Sequence, residues 1–599
     1  MKHILNVSVK RRFCIPNFKL YLKQRLDLPK SELEREDFAE YFSGNKLLPG
    51  SEPAAHCYCG HQFGYFSGQL GDGAAIYLGE VVNKKNERWE IQLKGAGLTP
   101  YSRTADGRKV LRSSIREFLC SEAMHFLGIP TTRAGACITS DSEVVRDIFY
   151  DGNPKSEKCS IVLRIAPTFI RFGSFEIFKT LDKFTGRVGP SMGKTEILHQ
   201  LLDYVIETFY PEIYKSSGDK VEMYAAFYKE VVLRTARLVA GWQCVGFCHG
   251  VLNTDNMSIL GLTLDYGPFG FLDMYNPNHI CNASDQNGRY SFIKQPGICL
   301  WNLQKFAEAI QQALPLPVSL PLLELYEEEF HSSYLQKMRA KLGLCKLELA
   351  EDKDLIQELL STMEKTGADY TNTFCCFSHI DITNSMKIDE TIDLTKEKIL
   401  KQCYPLEVLK HSFKNNTNSL NLSTLMRLQN SDPQIIEQLG RSGVSLERLL
   451  SLVNTSPFEE MTQESKNERD RDLWSAWLEK YKTRLIKEVE ACDTDLSIFN
   501  YERLEVMKNN NPKFILRNYI AQNAIEKAES GDYSEVRKLC EILKKPYDQS
   551  YSAVINCSSK SVNIQNEDSR PSTSKYIKDP ENQCNYDRPP EWAFSIKVT

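Results

Sequence analysis

The run His249-Gly250-Val251-Leu252-Asn253-Thr254-Asp255-Asn256, followed after eight residues by Asp265-Tyr266-Gly267, groups side chains able to bind a hard cation and move a proton. Its spacing is that of a phosphoryl-transfer catalytic loop, H-R-D-L-x-x-x-N and then D-F-G, in which the asparagine and the second aspartate hold magnesium. On that spacing His249 matches the histidine, while Asn256 and Asp265 match the metal ligands. Val251 stands where the catalytic aspartate would be. Amide and carboxylate oxygens suit Mg²⁺ or Mn²⁺, so a metal–nucleotide site is expected even though ordinary transfer to a hydroxyl lacks its usual base. Asp255 offers a second carboxylate, which either accepts a hydroxyl proton or supports the metal site from behind.

Three upstream features fit a nucleotide. Gly68-Gln69-Leu70-Gly71-Asp72-Gly73 puts glycines where backbone N–H groups can approach phosphate oxygens, although most glycine-rich turns are only turns. Lys94 closes the strand-like run Glu90-Ile91-Gln92-Leu93, where its ammonium meets either a phosphate or solvent. Glu117, on the following helix, either pairs with Lys94 or completes a capping box begun by Ser114. The cluster His56-Cys57-Tyr58-Cys59-Gly60-His61 lacks the usual ligand spacing for zinc, and no metal is assigned to it.

These residues need a sheet and helices to position them. Ala74 to Leu78 and Trp89 to Leu93 read as strands, Ser113 to Phe126 as an amphipathic helix stopped by Gly128 and Pro130, and Ser160 to Phe172 as a second β-rich stretch. Helical periodicity begins near Thr195 and returns at Leu355 to Met363, Leu473 to Val489 and Asn511 to Leu543; Asn415 to Ser419 reads as a loop. A β-rich part followed by a larger helical part makes an α+β fold. Asp548 to about Arg588, rich in serine and asparagine, reads as a flexible linker.

Composition narrows the class. The 599 residues are 42% hydrophobic and 25% charged, enough for a large core and too long for one small binding module. A net charge of -4 gives no global case for nucleic acid. Eighteen scattered cysteines point to reduced thiols rather than a disulfide scaffold. No apolar run is long enough to span a membrane. Lys2, Lys10, Arg11, Arg12, Lys19, Lys23 and Arg25 precede the first acidic residue, Asp27, which fits either a mitochondrial presequence or an ordinary basic segment of a cytoplasmic protein.

Together, Phe42 to Gly50, Tyr58 to Gly73, Leu93 to Arg108, Pro130 to Arg133, Gly246 to Asp273 and Cys281 to Leu303, with a further match near Asn511 to Tyr547, resemble the selenoprotein O family. The resemblance implies a protein-kinase-like two-lobed fold and protein adenylyltransferase activity. ATP would bind reversed relative to active kinases, AMP would pass to Ser, Thr or Tyr hydroxyls, and pyrophosphate would leave. It places Gly71, Gly73, Ala74, Lys94, Asp106, Gly107, Arg164, Arg171 and Asp265 at ATP. It makes Asp255 the base, supported by Lys94 and Glu117, and Asn256 with Asp265 the Mg²⁺ or Mn²⁺ ligands. Cys281 matches a cysteine implied in redox control. The organisation expected is a divergent basic segment over 1–35, a nucleotide-binding lobe over 36–190, a helical lobe over 191–547 and a tail over 548–599, in a monomer. Arg588-Pro589-Pro590-Glu591-Trp592-Ala593 resembles the segment preceding a terminal selenocysteine, so selenocysteine is expected after Thr599. Ordinary phosphoryl transfer, uridylyl transfer and a nucleotide-binding scaffold without catalysis are the competing readings.

Overall fold

A computed structural model describes residues 25–148, 152–411 and 460–548, together with 458, 589–590, 592–593 and 596. Residues 1–24 of the basic N-terminal segment, the Asn415–Ser419 loop and most of the C-terminal linker lie outside the described residues. The fold is α+β, with a five-stranded antiparallel sheet early in the chain and many helices after it.

Two hairpins follow a pair of short N-terminal helices: β1 (Cys59–Gln62) pairs with β2 (Tyr65–Gln69) as a separate two-stranded sheet, and β3 (Ala75–Val82) pairs with β4 (Arg88–Lys94) in the five-stranded one. The β3–β4 turn forms because the Asn83 side-chain oxygen accepts from the N–H groups of Lys85 and Glu87, and Asn86 takes the left-handed conformation that asparagine tolerates. The central strand is β7 (Lys155–Ala166). It carries β4 and the short β5 (Lys109–Val110) along one edge and β6 (Arg133–Arg146) along the other. The expected β stretch reached Phe172, but β7 ends at Ala166 because Pro167 has no N–H to donate to a ladder. The chain then turns into a short helix, Phe172–Glu176.

The helix Leu111–Phe126 buries Ile115, Phe118, Leu119 and Met124 against this sheet, and Gly128 follows it with φ +79°. Ser114 therefore lies inside the helix, with Val110 at its N-cap, and the capping-box reading of Glu117 fails. Helical spacing resumes at Thr195–Phe209, the start expected from Ile197 and Leu198, and continues in the long Lys220–Val245 helix. Asp219 caps that helix by accepting from the N–H groups of Val221 and Glu222, and Gly246 ends it at φ +71°. Directly after Gly246, β8 (Phe247–Cys248) pairs with β9 (Gly270–Phe271), and the loops spanning this pair carry His249 to Asp265.

One apolar core joins the Leu111–Phe126 helix to the Lys220–Val245 helix and to two late helices, Asn518–Glu529 and Ser534–Leu543. A second core, around Trp474, Trp477 and Tyr481, unites Glu324–Leu342, Asp352–Thr366 and Gln463–Glu490. The late helices clamp the helix that carries Glu117: Arg116 donates to Asn518 at 3.2 Å and Tyr547 donates to the Leu127 carbonyl at 3.1 Å. Among the described residues no helix is long and apolar enough to cross a membrane.

Candidate functional site

Directly opposed residues on paired strands project to the same face of a sheet. The β4–β7 register opposes Gln92 to Arg164 and Lys94 to Val162, so Gln92, Lys94 and Arg164 share one face. Glu117 reaches that face from its helix. Its carboxylate lies 2.9 Å from Lys94 Nζ and 3.1 Å from Arg164 Nε, and neither contact has hydrogen-bond alignment. Lys94 also donates to Asp265 Oδ1 at 2.5 Å. Arg164 donates to Gln92 Oε1 at 3.1 Å and to the Leu264 carbonyl, one residue before Asp265. The solvent-facing alternative for Lys94 therefore falls, since only 13% of its side chain is accessible, and Arg164 is buried beside it with 7% accessible.

Charge fixes the protonation states here. Burial works against the Lys94 ammonium, but Asp265 and Glu117 outweigh it and hold its pKa above the usual lysine range. Burial likewise opposes the Asp265 carboxylate, yet Lys94, Arg164 and Lys109 keep it ionised far below the usual range. The cluster thus presents an ionised Asp265 carboxylate beside a protonated Lys94 ammonium.

The glycine-rich loop joins β2 to β3. Gly71 has φ +143°, and a Cβ there would lie 2.3 Å from the Tyr101 ring, so no larger residue fits. The loop is pinned from the 95–108 segment: Thr99 Oγ1 donates to the Asp72 carbonyl and Ser102 Oγ to the Gly73 carbonyl, both at 2.6 Å. Ala74 accepts from Gly95 N at 2.6 Å, which joins the loop to the end of β4 beside Lys94. Gly107, at φ +68°, packs against Gly97 so closely that a Cβ would lie 2.1 Å from that carbonyl oxygen. Asp106 is exposed, and its side chain accepts from Arg146 at 2.7 Å.

Asp255 sits in the one-turn 3₁₀ helix Thr254–Asn256. Its Oδ2 accepts from Gln62 Nε2 at 3.3 Å, while its Oδ1 is buried without a hydrogen-bond partner. Burial pushes its pKa up to about 7, with Arg171 opposing the rise. Arg171 is buried too. It donates to the Asp255 carbonyl at 3.0 Å, lies over the Tyr58 ring at 4.4 Å and faces Asp72 Oδ1 at 3.5 Å. Asn256 donates from Nδ2 to the Val251 carbonyl at 3.0 Å, which leaves its Oδ1 as an acceptor. With Asp265 it supplies the amide and carboxylate oxygens that fit a hard divalent cation. His249 is buried and its pKa is lowered to about 4 by desolvation, so it is neutral and shapes the loop rather than carrying charge.

Several residues that matter were not singled out from the sequence. Asp72 is a buried carboxylate between Arg171 and Gln92, from which it accepts at 3.1 Å; its place between two glycines of a phosphate-type loop was the available signal. Glu176 accepts from Thr254 Oγ1 at 2.5 Å and pairs with His61 Nδ1 at 2.5 Å, and the His61 N–H donates to Thr254 Oγ1 at 2.7 Å. This closed triangle braces the residue before Asp255 and gives His61 a packing role. Only tertiary structure brings residues 61, 176 and 254 together. Cys281 lies behind the loop, donating from its thiol to the Cys248 carbonyl at 3.4 Å, and burial raises its pKa well above the ordinary range. The described cysteines are free thiols, and among the described residues no three His, Cys, Asp or Glu side chains group as a metal site.

The sequence model of the family described as "Protein adenylyltransferase SelO" matches residues 10–544. A Mus musculus protein named "Protein adenylyltransferase SelO, mitochondrial" is 54% identical over 577 residues, covering 95% of this chain and 83% of its own length. The Homo sapiens protein of the same name is 57% identical over 523 residues, covering 87% and 77%. A "Protein nucleotidyltransferase YdiU" from Azoarcus sp. is 40% identical over 522 residues, covering 87% and 83%.

Proposed function

The chain belongs to the SelO family, and on that premise we propose that it is an ATP-dependent protein adenylyltransferase, moving AMP from ATP to Ser, Thr or Tyr hydroxyls of proteins with release of pyrophosphate. The observation that carries the reading is the buried cluster in which Glu117 and Asp265 hold Lys94 and Arg164 on one face of the sheet. Fixed cations of this kind stabilise charge developing on a departing polyphosphate. Gly71, Gly73 and Ala74 form the cradle, Asp106 and Gly107 its outer wall, and Arg171 a further phosphate ligand beside Asp255.

Asn256 and Asp265 would hold Mg²⁺ or Mn²⁺, which neutralises phosphate charge when bound. Asp255 accepts the proton of the acceptor hydroxyl. Its unpartnered Oδ1 supports that role, and a pKa near 7 matches a base working at neutral pH. Val251, at the position of the usual kinase aspartate, brings no group able to take that proton.

The arrangement is read as kinase-like and two-lobed: 36–190 as the nucleotide-binding lobe, 191–547 as the helical lobe, and the β8–β9 pair as the base of the catalytic loops. The protein is mitochondrial, as its mouse and human relatives are named, and the acting unit is read as a monomer. Cys281 is read as a redox-sensitive thiol on the family resemblance alone; buried and with its pKa held well above the ordinary thiol range, it stays protonated and unreactive in this packing. Incubation with α-labelled and γ-labelled ATP tests the activity. Only the α label is expected on protein; γ label would establish phosphoryl transfer, and ATP-induced thermal stabilisation without either label would establish a non-catalytic scaffold.

A further inference from the structure

The register of the sheet sets one more cation beside the proposed nucleotide. On β7, Ser160, Val162 and Arg164 project to one face, because alternate residues of a strand share a face. Lys94 opposes Val162 and Lys109 opposes Ser160. The two lysines therefore point the same way, about 7 Å apart along the strand direction at ~3.3 Å per residue. Their proximity appears in charge: the groups acting on Lys109 are Lys94, Glu117, Asp265 and Arg164, and Lys109 in turn stabilises the Asp265 carboxylate.

The cations of this cluster differ in one respect. Lys94 has Glu117 and Asp265, and Arg164 has Glu117, Gln92 and the Leu264 carbonyl. The Lys109 ammonium forms no hydrogen bond or ion pair among the described residues, although the residue is partly buried. Three cations thus face two carboxylates, and the uncompensated charge resides on Lys109. Burial and the neighbouring Lys94 ammonium lower its pKa, the cost expected of an ammonium held without an anion.

We propose that Lys109 is a nucleotide-phosphate ligand, extending the row of Arg164 and Lys94 along the sheet so that its ammonium pairs with a phosphate oxygen of bound ATP. The inference rests on the adenylyltransferase reading above. It adds a binding residue, with no part in bond making or breaking.

Two measurements test it. In the full chain with Mg²⁺, Lys109→Met is expected to weaken ATP about tenfold, the size of a hydrogen bond to a charged group, and to leave adenosine unchanged because it carries no phosphate. Lys109→Arg is expected to keep most of the ATP affinity. Unchanged ATP affinity in Lys109→Met, or an equal loss for ATP and adenosine, overturns the proposal. The second measurement uses wild-type protein and so does not depend on a variant folding: lysine acylation mapped by mass spectrometry. ATP is expected to protect Lys109 and adenosine is not. ATP binding with Lys109 still acylated at its unliganded rate overturns this inference alone, whereas no ATP binding by the wild type overturns the adenylyltransferase reading on which it rests.

Discussion

Replacing Glu117 by Gln removes a carboxylate that holds two cations at once, at 2.9 Å from Lys94 and 3.1 Å from Arg164. At an effective dielectric of about 20, each attraction is worth about 5–6 kcal/mol before desolvation is subtracted. Removing one partner of a buried pair costs about 3–5 kcal/mol net. Lys94 keeps Asp265, and Arg164 keeps Gln92 and the Leu264 carbonyl, so about 3 kcal/mol of destabilisation is expected in nucleotide-free protein. With ~2 cal/mol/K of unfolding entropy per residue, that lowers the melting temperature by about 2–3 °C if the chain unfolds as one unit. The same arithmetic predicts a split between binding and catalysis. Glu117 competes with phosphate for both cations, so Glu117→Gln should bind ATP at least as tightly as wild type while the transfer rate falls about a hundredfold, because the cations are no longer held in place. Thermal unfolding without nucleotide, calorimetric titration with ATP and the rate of α-label incorporation measure the three quantities. A tenfold loss of ATP affinity in folded protein would refute the competition, and an unchanged melting temperature would refute the claim that Glu117 holds the cluster.

Asp255→Asn should lower the transfer rate by about 10²–10⁴-fold with ATP affinity retained, since it removes a base and no phosphate ligand; a rate within threefold of wild type assigns the proton to another group. Gly107→Ala adds a Cβ that meets a backbone carbonyl at 2.1 Å, whereas Gly128→Ala, at a similar positive φ, meets nothing within 4 Å. Both should cost about 1 kcal/mol for the conformation, but only Gly107→Ala should also weaken ATP binding in titration. Glu90 is buried and accepts from Phe169 N at 2.9 Å, and burial raises its pKa to about 7 from 4.5. The folded state therefore holds this proton more tightly than the unfolded state, so its stabilising contribution is complete below about pH 4.5 and is lost as pH rises to about 7. Glu90→Gln should remove that dependence, gaining up to about 3 kcal/mol on wild type between pH 4.5 and 8 at ~1.4 kcal/mol per pH unit; denaturant unfolding across that range checks it, and a constant difference contradicts it.

Much of this protein follows from local sequence. Short β-prone runs give β3 and β4, Ile197 and Leu198 mark the helix from Thr195, and the interval from His249 to Asp265 carries the motif from which a metal–nucleotide loop is proposed, because catalysis constrains residue type and spacing together. Local pattern also misled: Ser114 to Glu117 has the composition of a helix start, yet the helix begins at Leu111, and the β-branched and aromatic run past Ala166 cannot extend a strand through Pro167. Distant pairing carried no local signal. His61, Glu176 and Thr254 meet only after the β1–β2 hairpin folds against the Thr254–Asn256 turn, and the Asn518–Leu543 helices clamp a helix some four hundred residues earlier. The sequence by itself determined which side chains carry the charges and oxygen donors that the proposed phosphate, metal and proton roles need. The tertiary structure decided which of them are satisfied and which are left for a ligand: strand register puts Arg164, Lys94 and Lys109 on one face, and burial there makes every unpaired charge costly, so partnership rather than residue type separates Lys109 from its neighbours.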